Sequence, residues 1–242
     1  PLLLAPGDTL EIGMLASGLR GSLAVFGGVD SHPVLGSRST DLKCHIGGLN
    51  GRALKAGDVL PTLRAFELPQ ERFKPLQKRV QAAALEDWAL TTLTPHGFIG
   101  AQKFPLLRVV LGPQDDAFTE KGICDFKSAL YTVTQDSNRM AAKLSGAPVE
   151  AKAGVDILSD GIVEGSVQIS ANGQPIVMLA DHQSTGGYAK IATVIPCDIP
   201  ALAQVRPGQL VGFRVVSVEE GAAACKKEKE KWAYLKEEID HD

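Results

Sequence analysis

Polar side chains and two adjacent glycines crowd into one short stretch of the chain, residues 181–187. Asp181 supplies a carboxylate and Gln183 a carboxamide, while Gly186 and Gly187 leave their backbone N–H groups uncovered by side chains. Together these groups can bind and orient a polar substrate, so the stretch indicates a functional site. An ordinary hairpin loop, in which Asp and Gly only form the turn, is the structural alternative.

The elements on either side of this stretch are predicted strands. Residues 162–169 and 175–180 are rich in β-branched side chains and are divided by Asn172-Gly173, which predicts an antiparallel hairpin. Residues 188–195 are mostly apolar again. We therefore expect residues 181–187 to form a loop that two strands hold in place.

A second polar run follows a predicted strand near the N-terminus and contains Ser37, Arg38, Ser39 and Thr40. A planar guanidinium flanked by hydroxyl groups can bind a phosphate or a carboxylate in a bidentate manner. In the structural alternative Arg38 pairs with Asp41, or the hydroxyl groups only cap a turn.

Composition excludes several classes of protein. The chain has 242 residues, 44% hydrophobic and 22% charged, with a net charge of −3, which is typical of one large or two small globular domains. A basic excess that would point to nucleic acid or to an anionic membrane is missing, as is any apolar run of about 18 residues. The four cysteines lack C-x-x-C spacing, which predicts small buried thiols in a reducing, cytoplasmic setting.

The chemical motifs of self-contained enzymes are missing from the sequence. We find no phosphate-binding loop, no dinucleotide fingerprint, no H-E-x-x-H and no G-x-S-x-G. The five histidines have no ligand spacing, and Asp115-Asp116 is better explained as the acidic start of a short helix over 117–126. We therefore expect no metal site.

Turns and strands dominate the predicted organisation. Three tight turns with glycine at the third position, residues 5–8, 55–58 and 206–209, each precede a β-competent run. The chain begins at Pro1 without Met and enters an apolar run at once, which suggests an N-terminally incomplete protein. Residues 1–65 are predicted to form an N-terminal β segment that carries the Ser-Arg-Ser-Thr loop.

Two segments are predicted to be helical. In residues 66–103, Leu76, Val80, Ala84 and Trp88 recur at four-residue spacing, as on one face of a helical insertion. Residues 219–242 resemble an amphipathic C-terminal helix, and the β-rich part between the two helical segments spans 104–218.

Six short motifs occur in one order along most of residues 1–218, and together they resemble the biotin-dependent carboxyltransferase domain family. That family includes the C subunit of 5-oxoprolinase, also called allophanate hydrolase subunit 2 or KipA-like protein, and the carboxyltransferase domain of urea carboxylase. The motifs are GGVD (27–30), PVLGSRST (33–40), GPQDD (112–116), SDG (159–161), NGQP (172–175) and DHQSTGGY (181–188).

The resemblance implies a mostly β fold with minor α content and a cyclophilin-like β-barrel. It also implies a protein that acts only with the A-like and B-like subunits of 5-oxoprolinase, in ATP-dependent opening of 5-oxoproline to glutamate. ATP would then be used by the assembled complex. The chain departs from the family at Asn138, where an aspartate is usual, and at His182, Ser184 and Ala189.

Both chemistries of the family involve a carbonyl carbon bonded to an amide-like nitrogen, which assigns roles to the polar residues. Gly186, Gly187 and Gln183 would donate hydrogen bonds to the developing oxyanion, each worth about 3 kcal/mol. Asp181 would accept a proton or orient the substrate nitrogen. Tyr188 and Lys190 would share one face of a strand, with Lys190 on an anionic group.

The remaining predicted contacts to substrate come from Asp160, which could instead be a turn residue, and from an anion clamp formed by Ser37, Arg38, Ser39 and Thr40. We expect this clamp and the glycine pair to line one hollow. Two other functions remain open. One is carboxyl transfer from carboxybiotin on a partner to urea or a similar amide, and the other is a non-catalytic, KipA-like regulatory role.

Overall fold

The computed structural model describes residues 4, 6–15, 17–63 and 104–241. These fall into two compact units, one with the described residues of 1–13 and 21–63, the other with those of 14–20 and 104–241. The helix predicted within 66–103 lies outside the described residues. No helix among the described residues is long and apolar enough to cross a membrane.

Strands dominate the larger unit, as the turn-rich sequence predicts. The strands are β1 (Leu106–Leu111), β2 (Leu130–Val133), β3 (Ala141–Ser145), β4 (Asp156–Gly161), β5 (Ser166–Ile169), β6 (Pro175–Met178), β7 (Thr185–Tyr188), β8 (Lys190–Val194) and β9 (Leu210–Val215). Seven of them close into a barrel in the order β1-β8-β5-β6-β3-β2-β9. All neighbouring pairs in the barrel are antiparallel except β1 and β9, whose parallel pairing closes it.

The barrel core consists of alternate side chains of the strands, because successive residues of a strand point to opposite faces. In β1, Leu107 and Val109 are fully buried while their neighbours are partly exposed. Phe126, from the helix over the barrel, stacks on Phe213 at 4.5 Å between ring centroids. Tyr131 completes this aromatic cluster, and burial raises the pKa of its hydroxyl to about 12.

Among residues 104–241 there are three helices: α1 (Glu120–Ser128), α2 (Ile199–Ala203) and α3 (Val218–His241). Helix α1 begins later than predicted. Asp115 and Asp116 lie in a separate 3-10 turn, and the N-cap is Thr119, whose Oγ1 accepts a hydrogen bond from the N–H of Gly122. Thr119 caps the helix because its side-chain oxygen reaches the N–H of Gly122, which has no partner within the helix. The C-terminal helix spans Val218–His241, where the sequence predicts a helix over 219–242.

Residues 170–174 form the predicted turn between β5 and β6, so the hairpin is confirmed. The N–H of Gly173 donates to Ser170 O (2.8 Å), and Gly173 has a φ of 77°. Residues 159–161, by contrast, belong to strand β4 rather than to a turn. Strand β4 pairs with β7 as a separate two-stranded sheet beside the barrel, and this small sheet positions the candidate site.

The smaller unit differs from the predicted β segment. Its described residues form isolated bridges, such as Val29 with Thr62, instead of strands. The turn at 55–58 is present, with Asp58 N–H donating to Lys55 O (3.1 Å). Arg52 clamps the Asp58 carboxylate through two hydrogen bonds, which lowers its pKa to about 2. β-competent runs become strands only where another strand lies alongside, and the described residues of this unit do not offer one.

Candidate functional site

A buried lysine lies at the centre of the candidate site. Lys190 opens strand β8, and its side chain is 3% exposed. Its Nζ donates to Asp160 Oδ2 at 2.6 Å and to Gly161 O at 2.9 Å. The third proton of the ammonium group has no acceptor among the described residues. An ammonium with a free donor and a half-exposed partner can bind an anionic group or a carbonyl oxygen of a ligand.

Strand β4 brings Asp160 to Lys190. The carboxylate accepts hydrogen bonds from Lys190 and from the N–H of Gly161, and both lower the pKa of Asp160 below its ordinary value, Lys190 more strongly. Asp160 therefore carries its charge throughout the neutral range. Lys190 is therefore not a solvated surface charge, because its side chain is buried and paired.

Gln114 ties these two residues together, and the sequence analysis did not select it. It follows the end of β1, where its N–H donates to Lys190 O (3.0 Å). Its side-chain Oε1 accepts from Lys190 N–H (3.1 Å), and its Nε2 donates to Asp160 Oδ2 (3.3 Å). The carboxamide thus fixes both partners of the ion pair. Its place in the GPQDD motif was the available signal.

Two further carboxamides lie above Gly186. A Cβ built on Gly186 would be 2.8 Å from Gln168 Nε2 and 3.3 Å from Gln183 Nε2. Gln168 is 2% exposed and donates from Nε2 to Tyr188 O at 3.1 Å. Strand pairing places Gly186 directly opposite Asp160, so these carboxamides lie beside the ion pair. Gln168 was also missed, because it reads as part of a buried strand.

The two glycines lie in strand β7 and not in a loop. Ile162 N–H donates to Ser184 O (2.9 Å), and Gly186 pairs with Asp160 two residues further along the same ladder. Hydrogen-bonded pairs recur at every second residue of an antiparallel ladder, so the Gly186 N–H is directed at β4. This pairing competes with its predicted role as an oxyanion donor. Side-chain amides are the better-placed donors here.

Asp181 has a surface partner. Its carboxylate is held by Arg139, whose Nε and NH2 lie 2.8 and 3.2 Å from the two oxygens. The pair is exposed, with 46% of the Asp181 side chain accessible. Beside it, Asn138 Oδ1 accepts the N–H of Met140 at 2.8 Å, so this departure from the family keeps an acceptor that a turn requires. Asp181 is thus engaged by Arg139, whereas Lys190 is engaged by Asp160.

Tyr188 ends β7, and Lys190 begins β8, where the chain crosses from the small sheet into the barrel. The two residues therefore lie on different strands, whereas the sequence analysis placed them on one face of a single strand. Tyr188 is half-buried and packs against the barrel core.

The run from Ser37 to Thr40 belongs to the smaller unit, where Arg38, Ser39 and Thr40 line a cavity of about 680 Å³. Arg38 does not pair with Asp41. Its NH1 lies 2.9 Å from Asp30 Oδ1 and also donates to the carbonyl oxygen of Ser31. Ser37 Oγ accepts the N–H of Ser39 (3.1 Å), which is the predicted turn capping. The expectation that this clamp and the glycine pair line one hollow stays a prediction.

The family description "Carboxyltransferase domain, subdomain A and B" matches residues 1–215. The chain belongs to this family. It is 35% identical over 224 residues to the C subunit of 5-oxoprolinase from Haemophilus influenzae, covering 91% of this chain and 64% of that protein. It is 29% identical to urea amidolyase of Lachancea kluyveri, covering 90% of this chain and 12% of that protein. The chain thus spans less than two thirds of the 5-oxoprolinase relative.

Solved structures agree with the fold. The urea amidolyase of K. lactis superposes with a TM-score of 0.66 at 26% identity, covering 84% of this chain and 12% of that chain. The predicted class, mostly β with a closed barrel and few helices, is confirmed.

Proposed function

We propose that this chain is the carboxyltransferase-type component of an ATP-dependent 5-oxoprolinase, which opens 5-oxoproline to glutamate together with A-like and B-like partner subunits. The identity to the C subunit of 5-oxoprolinase over nine tenths of the chain supports this substrate over urea. The observation that carries a catalytic site is the buried Lys190 ammonium, which Asp160 holds, while Gln114 fixes the backbone of Lys190 and the Asp160 carboxylate.

In this proposal Lys190 directs its third proton to the lactam carbonyl oxygen or to the carboxylate of the substrate. A charge held in a buried site acts more strongly than in water, and it needs no reorganisation when charge develops on the oxygen. Gln183, exposed above Gly186, donates to the same substrate, while Asp160 holds the ammonium in place. Asp181 orients the substrate nitrogen, and Arg38 binds an anionic group in the cavity of the smaller unit.

ATP is assigned to the assembled complex, where its hydrolysis supplies the free energy of ring opening. This chain has no phosphate-binding glycine loop, and no residue of it is assigned to ATP.

The test is ATP-dependent glutamate release from 5-oxoproline by the full-length protein reconstituted with its partner subunits. Lys190→Met keeps the aliphatic stem and removes the ammonium, and we expect kcat to fall at least 100-fold, as for loss of a donor to an oxyanion. Lys143→Met, at an exposed lysine on β3, is the matched control and should leave kcat unchanged. Wild-type kcat in Lys190→Met refutes the assigned role.

The predicted loop residues are tested in the same assay. Asp181→Asn should raise KM or lower kcat by tenfold or more if this carboxylate contacts the substrate, and Arg38→Ala should raise KM. If both variants match the wild type, neither residue belongs to the site.

Carboxyl transfer from carboxybiotin on a partner to urea or a similar amide is the second candidate, favoured by the superposition on urea amidolyase. The same fixed ammonium suits a carboxylated ligand. The two functions separate in one experiment, because avidin abolishes activity that depends on biotin and leaves 5-oxoproline cleavage untouched. Avidin-sensitive carboxylation of urea, without glutamate release from 5-oxoproline, favours the second candidate.

A further inference from the structure

Two of the four thiols meet at the end of the barrel away from Lys190. Cys197 lies in the 3-10 turn Pro196–Asp198, and Cys225 lies on helix α3, 28 residues later. Their sulfur atoms are 3.3 Å apart, and both side chains are half-buried. Cys44 and Cys124 are exposed, so the expectation of four buried thiols is wrong.

The elements that carry the two sulfurs are both held firmly. Asp198, next to Cys197, is fully buried and accepts hydrogen bonds from the Nε and the backbone N–H of Arg108 on β1. Helix α3 approaches closely at Gly221, where a built Cβ would lie 3.0 Å from Ile195 Cγ2. The sulfurs therefore face each other because of packing on both sides and not by chance contact of mobile chains.

We propose that Cys197 and Cys225 are a site of reversible oxidation, at which an intramolecular disulfide fastens helix α3 to the barrel. The oxidant is a low-molecular-weight disulfide such as oxidised glutathione. The Cys225 thiolate attacks it, forms a mixed disulfide and releases one glutathione thiolate. Cys197, deprotonated, then attacks Cys225 Sγ and releases the second. The two protein thiols lose two electrons and two protons, and two molecules of reduced glutathione form.

The order of attack follows from the surroundings of the two sulfurs. Burial raises the pKa of Cys197 above its ordinary value, so its thiolate is scarce at neutral pH. Cys197 is therefore the resolving thiol, which acts at high effective concentration because the partner sulfur is already in contact. Arg108 NH2, 3.6 Å from Cys197 Sγ, can stabilise the negative charge as it forms.

This site is distinct from the catalytic proposal. Lys190 and the turn that carries Cys197 lie at opposite ends of strand β8, which separates them by about 15 Å at 3.3 Å per residue. The inference does not depend on which substrate the complex uses.

The experiment treats the full chain with oxidised glutathione at pH 8 and maps its peptides without reduction. We expect a peptide that contains a Cys197–Cys225 cross-link. When glutathione adducts on the exposed thiols are counted separately, the number of titratable thiols should fall from four to two and return to four on reduction. Closing a loop of this length should raise Tm by about 5 °C or more.

Cys44→Ser/Cys124→Ser removes the exposed thiols and is the background in which Tm is compared. There the cross-link should still form, and adding Cys197→Ser or Cys225→Ser should abolish both the cross-link and the rise in Tm. Glutathione adducts at Cys225 that never resolve to the cross-link overturn the proposal. So does a cross-linked protein whose Tm is equal to or lower than that of the reduced form.

Discussion

Gly186 and Gly187 provide a pair of substitutions that tests the geometry of the small sheet directly. Both glycines lie in β7, and neither has a positive φ, so a methyl group is compatible with either backbone. At Gly186 the new Cβ would be 2.5 Å from Ile162 Cδ1 and 2.8 Å from Gln168 Nε2. At Gly187 the nearest atom is Ile157 O at 3.6 Å, an ordinary contact.

The size of the effect follows from these distances. Ile162 and Gln168 are buried, and moving the Gln168 amide weakens its hydrogen bond to Tyr188 O. Overpacking of this kind costs about 1–3 kcal/mol. Replacing either glycine with alanine also stabilises the protein by about 0.4–1 kcal/mol, because alanine lowers the conformational entropy of the unfolded chain. This contribution is the same in both variants and cancels in their comparison. Gly186→Ala should therefore be less stable than Gly187→Ala by about 2 kcal/mol.

Urea unfolding of the two variants side by side measures this difference, and thermal unfolding should separate their Tm values by about 4–8 °C. In the reconstituted complex we expect Gly186→Ala to lower kcat at least tenfold, since displacement of Gln168 and Gln183 shifts the donors. Equal stability of the two variants refutes the close approach of the carboxamides to Gly186.

Two more outcomes follow from the charges. Because the pKa of Asp160 is lowered, its ion pair with Lys190 stabilises the fold at neutral pH, and this contribution is lost as the pH falls through the lowered pKa. Acid unfolding followed by circular dichroism should show this loss in the wild type and not in Asp160→Asn. Breaking the buried ion pair of Asp198 with Arg108 by Asp198→Asn should lower the free energy of unfolding by about 3 kcal/mol. The same change at the exposed Asp181 should cost less than about 1 kcal/mol, and urea unfolding compares the two.

Local signals in the sequence were enough to predict several turns and one helix. The Asn172-Gly173 turn, the turn at 206–209 and the C-terminal helix occur where predicted, because each depends on residues close in the chain. The sequence pattern did not predict strands whose pairing partner is distant in the chain. Asp160 could be a turn residue until β7 is seen to pair with β4, and residues 181–187 are predicted to be a loop although residues 185–187 belong to strand β7.

The sequence by itself determined the family, the mostly β class and the candidate residues Asp160, Gln183 and Lys190, since these depend on short motifs and their order. Only the tertiary structure decided which of them meet. The burial of Lys190, its clamp by Gln114 and the contact of Cys197 with Cys225 join residues 28 to 76 positions apart. Such contacts come from barrel closure, whose register is set by packing of the whole core and cannot be read from local spacing.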